Sequence, residues 1–138
     1  MVLWHGLAEN AVLRAAQGEA IGTLFWPGAE KLEARKRWML TDISHRGDIV
    51  IDDGAVRALV ERNGSLLPTG ITDVNGDFRR GDIVYILEKG GRRIACGITN
   101  YKSEDVRRIR GVRSEHIQGI LGYHYGEEVV HRNNLVLL

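Results

Sequence analysis

Cysteine is almost missing from this chain: Cys96 is the single one in 138 residues. No intrachain disulfide can form, and a cysteine-rich metal site is excluded. Long apolar runs are missing as well. The longest span four or five residues, against about 18 for a segment that crosses a bilayer. The N-terminus has neither the basic start nor the apolar stretch of a secretory leader, so the expectation is a cytoplasmic protein with no membrane partner. An excess of charge is also lacking. With 19 Lys plus Arg against 18 Asp plus Glu, the chain carries no basic coat, although such an average can hide local clusters.

Glycine, by contrast, is abundant: 17 of 138 residues, where ordinary usage is about 7%. The glycines are dispersed and many fall where turns belong. Asn75-Gly76, within Val74-Asn75-Gly76-Asp77, is the pair that favours a type I′ hairpin, and Glu88-Lys89-Gly90-Gly91 reads as a second hairpin turn. Around them lie strand candidates at Ile71–Val74, Ile83–Leu87 and Arg93–Thr99, with others at Asp48–Ile51 and Leu135–Leu138. The run Ile83-Val84-Tyr85-Ile86-Leu87 is apolar throughout and is expected to be buried on both faces. Short strands this closely spaced predict a small barrel.

Helices interrupt the strands. Asp52 or Asp53 caps one whose Ala55, Val56, Leu59 and Val60 form an apolar stripe, closed by Asn63-Gly64. Ser103 opens another with Val106 and Ile109 inward and Arg107, Arg108 and Arg110 outward. Ser114 opens a third, carrying Ile117, Ile120 and Leu121 and ending at Gly122. Near the start, Val2–Trp4, a helix over Glu9–Gln17 and Ile21–Phe25 read as strand, helix, strand. Such a unit needs more sheet than it brings, so Trp4, Val12, Leu13, Leu24 and Phe25 are expected to pack on the barrel or on another copy of the chain. Pro27-Gly28 breaks the chain, and a basic helix follows over Lys31–Leu40.

Several strings, in this order, carry a family resemblance: Gly22-Thr23-Leu24-Phe25, Arg35-Lys36-Arg37-Trp38, Gly64-Ser65-Leu66-Leu67-Pro68, Arg80-Gly81-Asp82, Arg107-Arg108-Ile109-Arg110-Gly111, Ile120-Leu121-Gly122-Tyr123 and His131-Arg132-Asn133-Asn134. Together they resemble the C-terminal region of bacterial glutamate 5-kinases, from about Gly6 onward. The resemblance implies a mainly β fold with helices, an α+β PUA-like pseudo-barrel of five to six short strands, preceded by a β-α-β remnant of an amino-acid-kinase domain. It divides the chain into 1–27, the terminal strand-helix-strand of that domain; 28–47, a basic helix and linker; and 48–138, the PUA domain. It further implies a parent enzyme that uses ATP and Mg to phosphorylate the glutamate side-chain carboxylate, at the start of proline biosynthesis. The parent's kinase domain and further copies of the chain are the implied partners.

Phosphoryl transfer needs amides or lysine on the phosphates and a carboxylate for the metal. No G-x-x-x-x-G-K-[ST] is present, and no glycine-rich loop lies between a strand and a helix. No catalytic, cofactor-binding or metal-binding residue is therefore assigned, and the 138 residues alone are expected to be inactive. Cys96 lies in an apolar strand and reads as a core residue. His5, His45, His116, His124 and His131 lack ligand spacing. Arg80-Gly81-Asp82 reads as a turn entering a strand.

Basic clusters remain. Lys31–Arg37 and Lys102–Arg113, with Arg79, Arg80, Arg92 and Arg93, could neutralise several phosphates. The resemblance implies RNA binding in many PUA relatives, so Arg79, Arg80, Lys102, Arg107, Arg108, Arg110 and Arg113 form a candidate RNA face. Single-stranded RNA also wants stacking aromatics, and only Tyr101 lies near them in sequence. The competing reading makes these arginines structural or interdomain. Arg35, Lys36, Arg37 and Trp38 read as a domain junction, with Trp38 packed and the cations outward.

Overall fold

Burial alternates along Gly47–Ile51, with Ile49 and Ile51 fully covered and their neighbours half-covered, the period of two that a strand over a core requires. This strand organises the larger of two units, Leu32–Leu138; the other is Met1–Lys31. A computed structural model describes residues 2–3, 10–20, 22–24 and 45–138. Arg35, Lys36, Arg37 and Trp38 lie outside the described residues.

In the N-terminal unit the order is β1 (Val2–Leu3), α1 (Ala11–Ala16) and β2 (Thr23–Leu24). The strands pair antiparallel, Val2 opposite Leu24 and Leu3 opposite Thr23. Asn10 takes a left-handed conformation before α1 (φ 54°), and an Arg14–Glu19 ion pair of 2.6 Å follows the helix. Val12 and Leu13, expected to be covered, are 72% and 57% exposed in the chain. Trp4, Phe25 and the side chain of Leu24 lie outside the described residues.

In the larger unit, β3 (Gly47–Ile51) leads into α2 (Asp53–Val60). The cap is Asp52, whose Oδ1 accepts from the Ala55 amide at 2.8 Å. Leu59 is buried and Ala55 and Val56 pack against the core. Val60 departs from the expected stripe: it faces outward, 51% exposed. After a 3-10 turn at Pro68–Gly70 come β4 (Ile71–Gly76), β5 (Ile83–Glu88) and β6 (Arg93–Thr99), then α3 (Ser103–Ile109), a 3-10 turn at Ser114–His116, α4 (Ile117–Leu121) and β7 (Val130–Leu137).

The sheet runs β4-β3-β5-β6-β7. Glu88–Gly91 makes the expected hairpin between β5 and β6, closed by the Glu88 amide on the Arg92 carbonyl at 3.0 Å. Asn75-Gly76 does not make one. Both residues lie inside β4, opposite Asp48 and Gly47 of β3, and β5 pairs on the far side of β3, in parallel. The reason is Phe78, which is 1% exposed in the core. Burying that ring against Gly47 carries the chain past the turn position, and core burial of a phenylalanine, about 1.5–3 kcal/mol, outweighs a local turn preference. Gly76 keeps its positive φ of 83°.

Register shifts interrupt the ladders at Val50/Ile51, Ile86/Leu87 and Gly97/Thr99. Such irregularities increase twist and curl a sheet. The curl brings Val130 to Leu66, where an isolated antiparallel bridge joins the last strand to the loop after α2. That contact explains why β7 starts five residues before the predicted Leu135. Gly97 sits where β6 meets β7, and a Cβ there would stand 2.5 Å from a Val130 methyl. The main core lies under one sheet face, around Ile49, Ile86, Val106, Ile109 and Ile117. A smaller cluster on the other face joins Ile83 and Cys96 to Tyr85, Ile98 and Val136. The β5 run is thus packed on both sides from Ile83 to Ile86, as predicted, whereas Leu87 is only half-buried.

Candidate functional site

The predicted RNA face is built on α3. Val106 and Ile109 anchor the helix in the core, with Glu104 and Asp105 in the first turn and Arg107 and Arg108 in the last, the arrangement the helix dipole favours. This orientation turns the cations outward, but the protein itself occupies them. Arg107 donates to the Gly76 carbonyl, Arg108 Nη2 to the Ile120 carbonyl at 2.5 Å, and Arg110 pairs with Asp73 at 3.2 Å. Lys102 holds Glu104 at 2.8 Å, and Arg113 approaches Glu115 at 3.9 Å. Most of the charge therefore ties α3 to its neighbours.

Arg79 and Arg80 lie in the turn before β5. The Arg79 amide donates to Asp82 Oδ2 at 2.8 Å and the Asp82 amide to the Arg79 carbonyl at 3.1 Å, which is the tight turn expected of Arg80-Gly81-Asp82. The Arg80 guanidinium stacks over the Tyr125 ring, 3.9 Å from its centroid. Tyr123 and Tyr101 approach the same ring, with centroids at 5.1 and 5.8 Å. Tyr101 is fully buried. Its hydroxyl donates to the Gly126 carbonyl at 2.6 Å and accepts from the Tyr125 amide at 2.9 Å. The Tyr123 hydroxyl donates to the buried Asp105.

Burial raises the Tyr101 pKa above its ordinary value. For Tyr123 the cause is first the hydrogen bond to Asp105, whose acceptor oxygen favours the protonated phenol. Reading along the chain missed Tyr125 as the neighbour of Arg80 and Tyr123 beside it, because the Gly122 and Gly126 bends bring back a segment distant in sequence. The alternation Tyr123-His124-Tyr125 between two glycines was the available signal.

A depression of about 300 Å³ lies between α2 and the Pro68–Gly70 turn, lined in part by Asp52, Ala58, Ser65, Leu67 and Thr69. Its polar groups are partly committed: Asp52 caps α2 and Ser65 Oγ accepts from the Arg132 amide at 3.0 Å. Among the described residues no group of three or more His, Cys, Asp or Glu could hold a metal ion, and no helix is long and apolar enough to cross a membrane. Cys96 is buried beneath Tyr85 and Ile98. His131 accepts the Asn133 amide through Nδ1 at 3.1 Å.

A mixed, curled five-stranded sheet bridged between its last strand and the loop after its first helix, with stacked tyrosine and arginine at its rim, defines a small α+β pseudo-barrel. Residues 47–121 match the PUA domain family, and the chain belongs to it. Beyond that module, the chain is similar over its full length to the C-terminal region of glutamate 5-kinases. It is 47% identical over 138 residues to the glutamate 5-kinase of Deinococcus radiodurans, covering 100% of this chain and 38% of the relative. With that of Citrifermentans bemidjiense it shares 46% over 137 residues, 99% of this chain and 37% of the relative. The chain thus spans little more than a third of the length of these relatives. Among solved structures, a PUA domain from Aeropyrum pernix K1 is similar with a TM-score of 0.46 and 23% identity, over 62% of this chain and 41% of that one. A chain of an archaeal box H/ACA sRNP complex is similar with a TM-score of 0.43 and 23% identity, over 65% and 26%.

Proposed function

We propose that this chain is the C-terminal, PUA-containing portion of a cytoplasmic glutamate 5-kinase, an enzyme that moves the γ-phosphoryl group of ATP, with Mg, onto the glutamate side-chain carboxylate in the first step of proline biosynthesis. The observation that carries the reading is where the likeness extends. It covers 100% of the chain, including residues 1–46 outside the PUA match, and a likeness due to a PUA domain alone would stop near residue 47. The 138 residues serve domain packing, oligomer assembly or regulation, with the kinase domain and further copies as partners, and the chemistry lies elsewhere in the parent. The engagement of α3's cations by Asp73 and by the Gly76 and Ile120 carbonyls supports a structural role for those arginines inside the module. Purified chain supplied with glutamate, ATP and Mg²⁺, with hydroxylamine to trap γ-glutamyl phosphate, is expected to form no hydroxamate above a blank. Turnover by the chain alone overturns the reading.

A second reading, RNA binding, is favoured by one arrangement: Tyr125 stands under Arg80 with Tyr123 next to it, supplying the aromatic surface that the basic helix lacks. Under it, tRNA-sized RNA binds with a log affinity that falls linearly with log salt, and Tyr125→Ala weakens binding. Absence of a gel shift at low salt removes this reading.

A further inference from the structure

We propose that the groove between α2 and the ends of β6 and β7 docks an acidic, leucine-rich segment of a partner protein. Three observations point there. The first is a concentration of misplaced apolar surface. Residues 45–138 leave five large hydrophobic side chains strongly exposed, Val60, Leu67, Tyr125, Leu137 and Leu138, and three of them, Val60, Leu137 and Leu138, line this one groove of about 390 Å³. Val56 and Ile94 complete its apolar lining. Val60 is the residue of the α2 stripe that the core does not take in. Leu138 is held in place, its amide donating to the Ile94 carbonyl at 2.9 Å.

The second observation is the rim. Arg57 stands on the helix side and Arg92 and Arg93 on the strand side, against one acidic side chain, Glu61. Arg92 is bridged to Glu88 at 3.0 Å. The other two have no carboxylate among the described residues: Arg57 Nε donates to the Asp53 carbonyl at 3.3 Å, and the Arg93 guanidinium lies 4.0 Å over the Tyr85 ring. Both keep terminal donors for an incoming acid. The third is the shape, an open trough with cations on both sides of an aliphatic floor. That complements a chain segment whose leucines enter the floor while its glutamates or aspartates meet the flanking guanidinium groups. A groove for an RNA strand would expose ring faces in the floor, and this one is aliphatic.

The test uses the full chain and a fluorescein-labelled peptide of alternating glutamate and leucine pairs, followed by anisotropy. Saturable binding is expected with Kd below roughly 100 μM, weakened about tenfold or more by replacing the peptide's glutamates with glutamines or its leucines with serines. Arg57→Glu with Arg93→Glu, and separately Val60→Ser, each at surface positions, are expected to weaken binding by a similar factor while the far-ultraviolet circular dichroism stays unchanged. The proposal is overturned by no binding up to ~1 mM, by equal binding of the glutamine peptide, or by variants that bind as the parent does. It is equally overturned if sedimentation shows self-association that Val60→Ser abolishes, since a second copy then fills the groove. Binding to phosphatidylserine vesicles without binding to the peptide overturns it too.

Discussion

Two basic surfaces of the 45–138 unit differ in where their charge goes. On α3, Arg107, Arg108 and Arg110 reach inward along the surface to Gly76, Ile120 and Asp73, so the cations fasten one helix to β4 and α4. On the α2 groove, Arg57 and Arg93 flank exposed leucines and, among the described residues, meet a carbonyl and a ring and no carboxylate side chain. Arginine counts rank α3 as the more basic surface, but there each guanidinium spans to another element, whereas Arg57 bonds within its own helix, to the Asp53 carbonyl. What a cation does for the molecule depends on which elements it joins, and that depends on the fold.

The comparison can be broken first at Phe78, the residue that takes the chain past Asn75-Gly76 and so brings Gly76 within reach of Arg107. Phe78→Ala is expected to destabilise by about 3–5 kcal/mol, read as a lowered urea midpoint, and to release α3 as judged by faster amide exchange at Val106 and Ile109. A midpoint lowered by less than about 1 kcal/mol would show that the ring does not organise this region.

A smaller effect is expected at Asp105. Its replacement by Ala removes the acceptor of the Tyr123 hydroxyl and one first-turn acid of α3, which costs about 1–2 kcal/mol. It also alters the response to alkali. The folded-state pKa values of Tyr101 and Tyr123 lie above the ordinary 10.0, so the fold holds these protons more tightly than the unfolded chain does. Their contribution is fully present below pH 10 and is lost as pH rises through the raised values. In Asp105→Ala the Tyr123 part of that alkaline limb should shrink, since its first cause is lost, while the Tyr101 part, caused first by burial, should change less. A spectrophotometric titration of tyrosinate at 295 nm, with a midpoint unchanged by Asp105→Ala, would contradict the assignment.

The smallest effects separate the two surfaces directly. Arg108→Ala should cost about 0.5–1 kcal/mol, because a carbonyl partner is lost. Arg57→Ala should stay within about 0.5 kcal/mol of the parent, since it gives up only a long contact to Asp53. Equal losses at both positions would erase the distinction between fastening and available cations.

The strands and helices of the barrel were mostly readable from local pattern. Asp52 sits where a cap belongs and accepts the Ala55 amide; Glu88–Gly91 turns as its glycines suggest; Ile83–Ile86 is packed on both faces. The expectations that gave way did so where tertiary contact competed with local preference. Asn75-Gly76 has the composition of a hairpin turn, yet the burial of Phe78 made it part of a ladder to β3. Val60 follows the helical period of α2, yet the core ends at Leu59. For the candidate surfaces the gap is wider. The cations were visible by name, but their partners Gly76, Ile120 and Asp73, and the return of Tyr125 over Arg80, come from segments that only the sheet brings together.

The bridge between Leu66 and Val130 has a consequence for how the protein is made. Leu66 accepts from and donates to a strand that a ribosome delivers near the end of this sequence. Until Val130 emerges, the half-built sheet has an open edge and an uncovered Leu66, and contacts between residues so distant along a chain form slowly. Between the synthesis of Leu66 and that of Val130, 64 residues later, the growing chain therefore carries an exposed, pairing-competent edge that closes only when the last strand arrives.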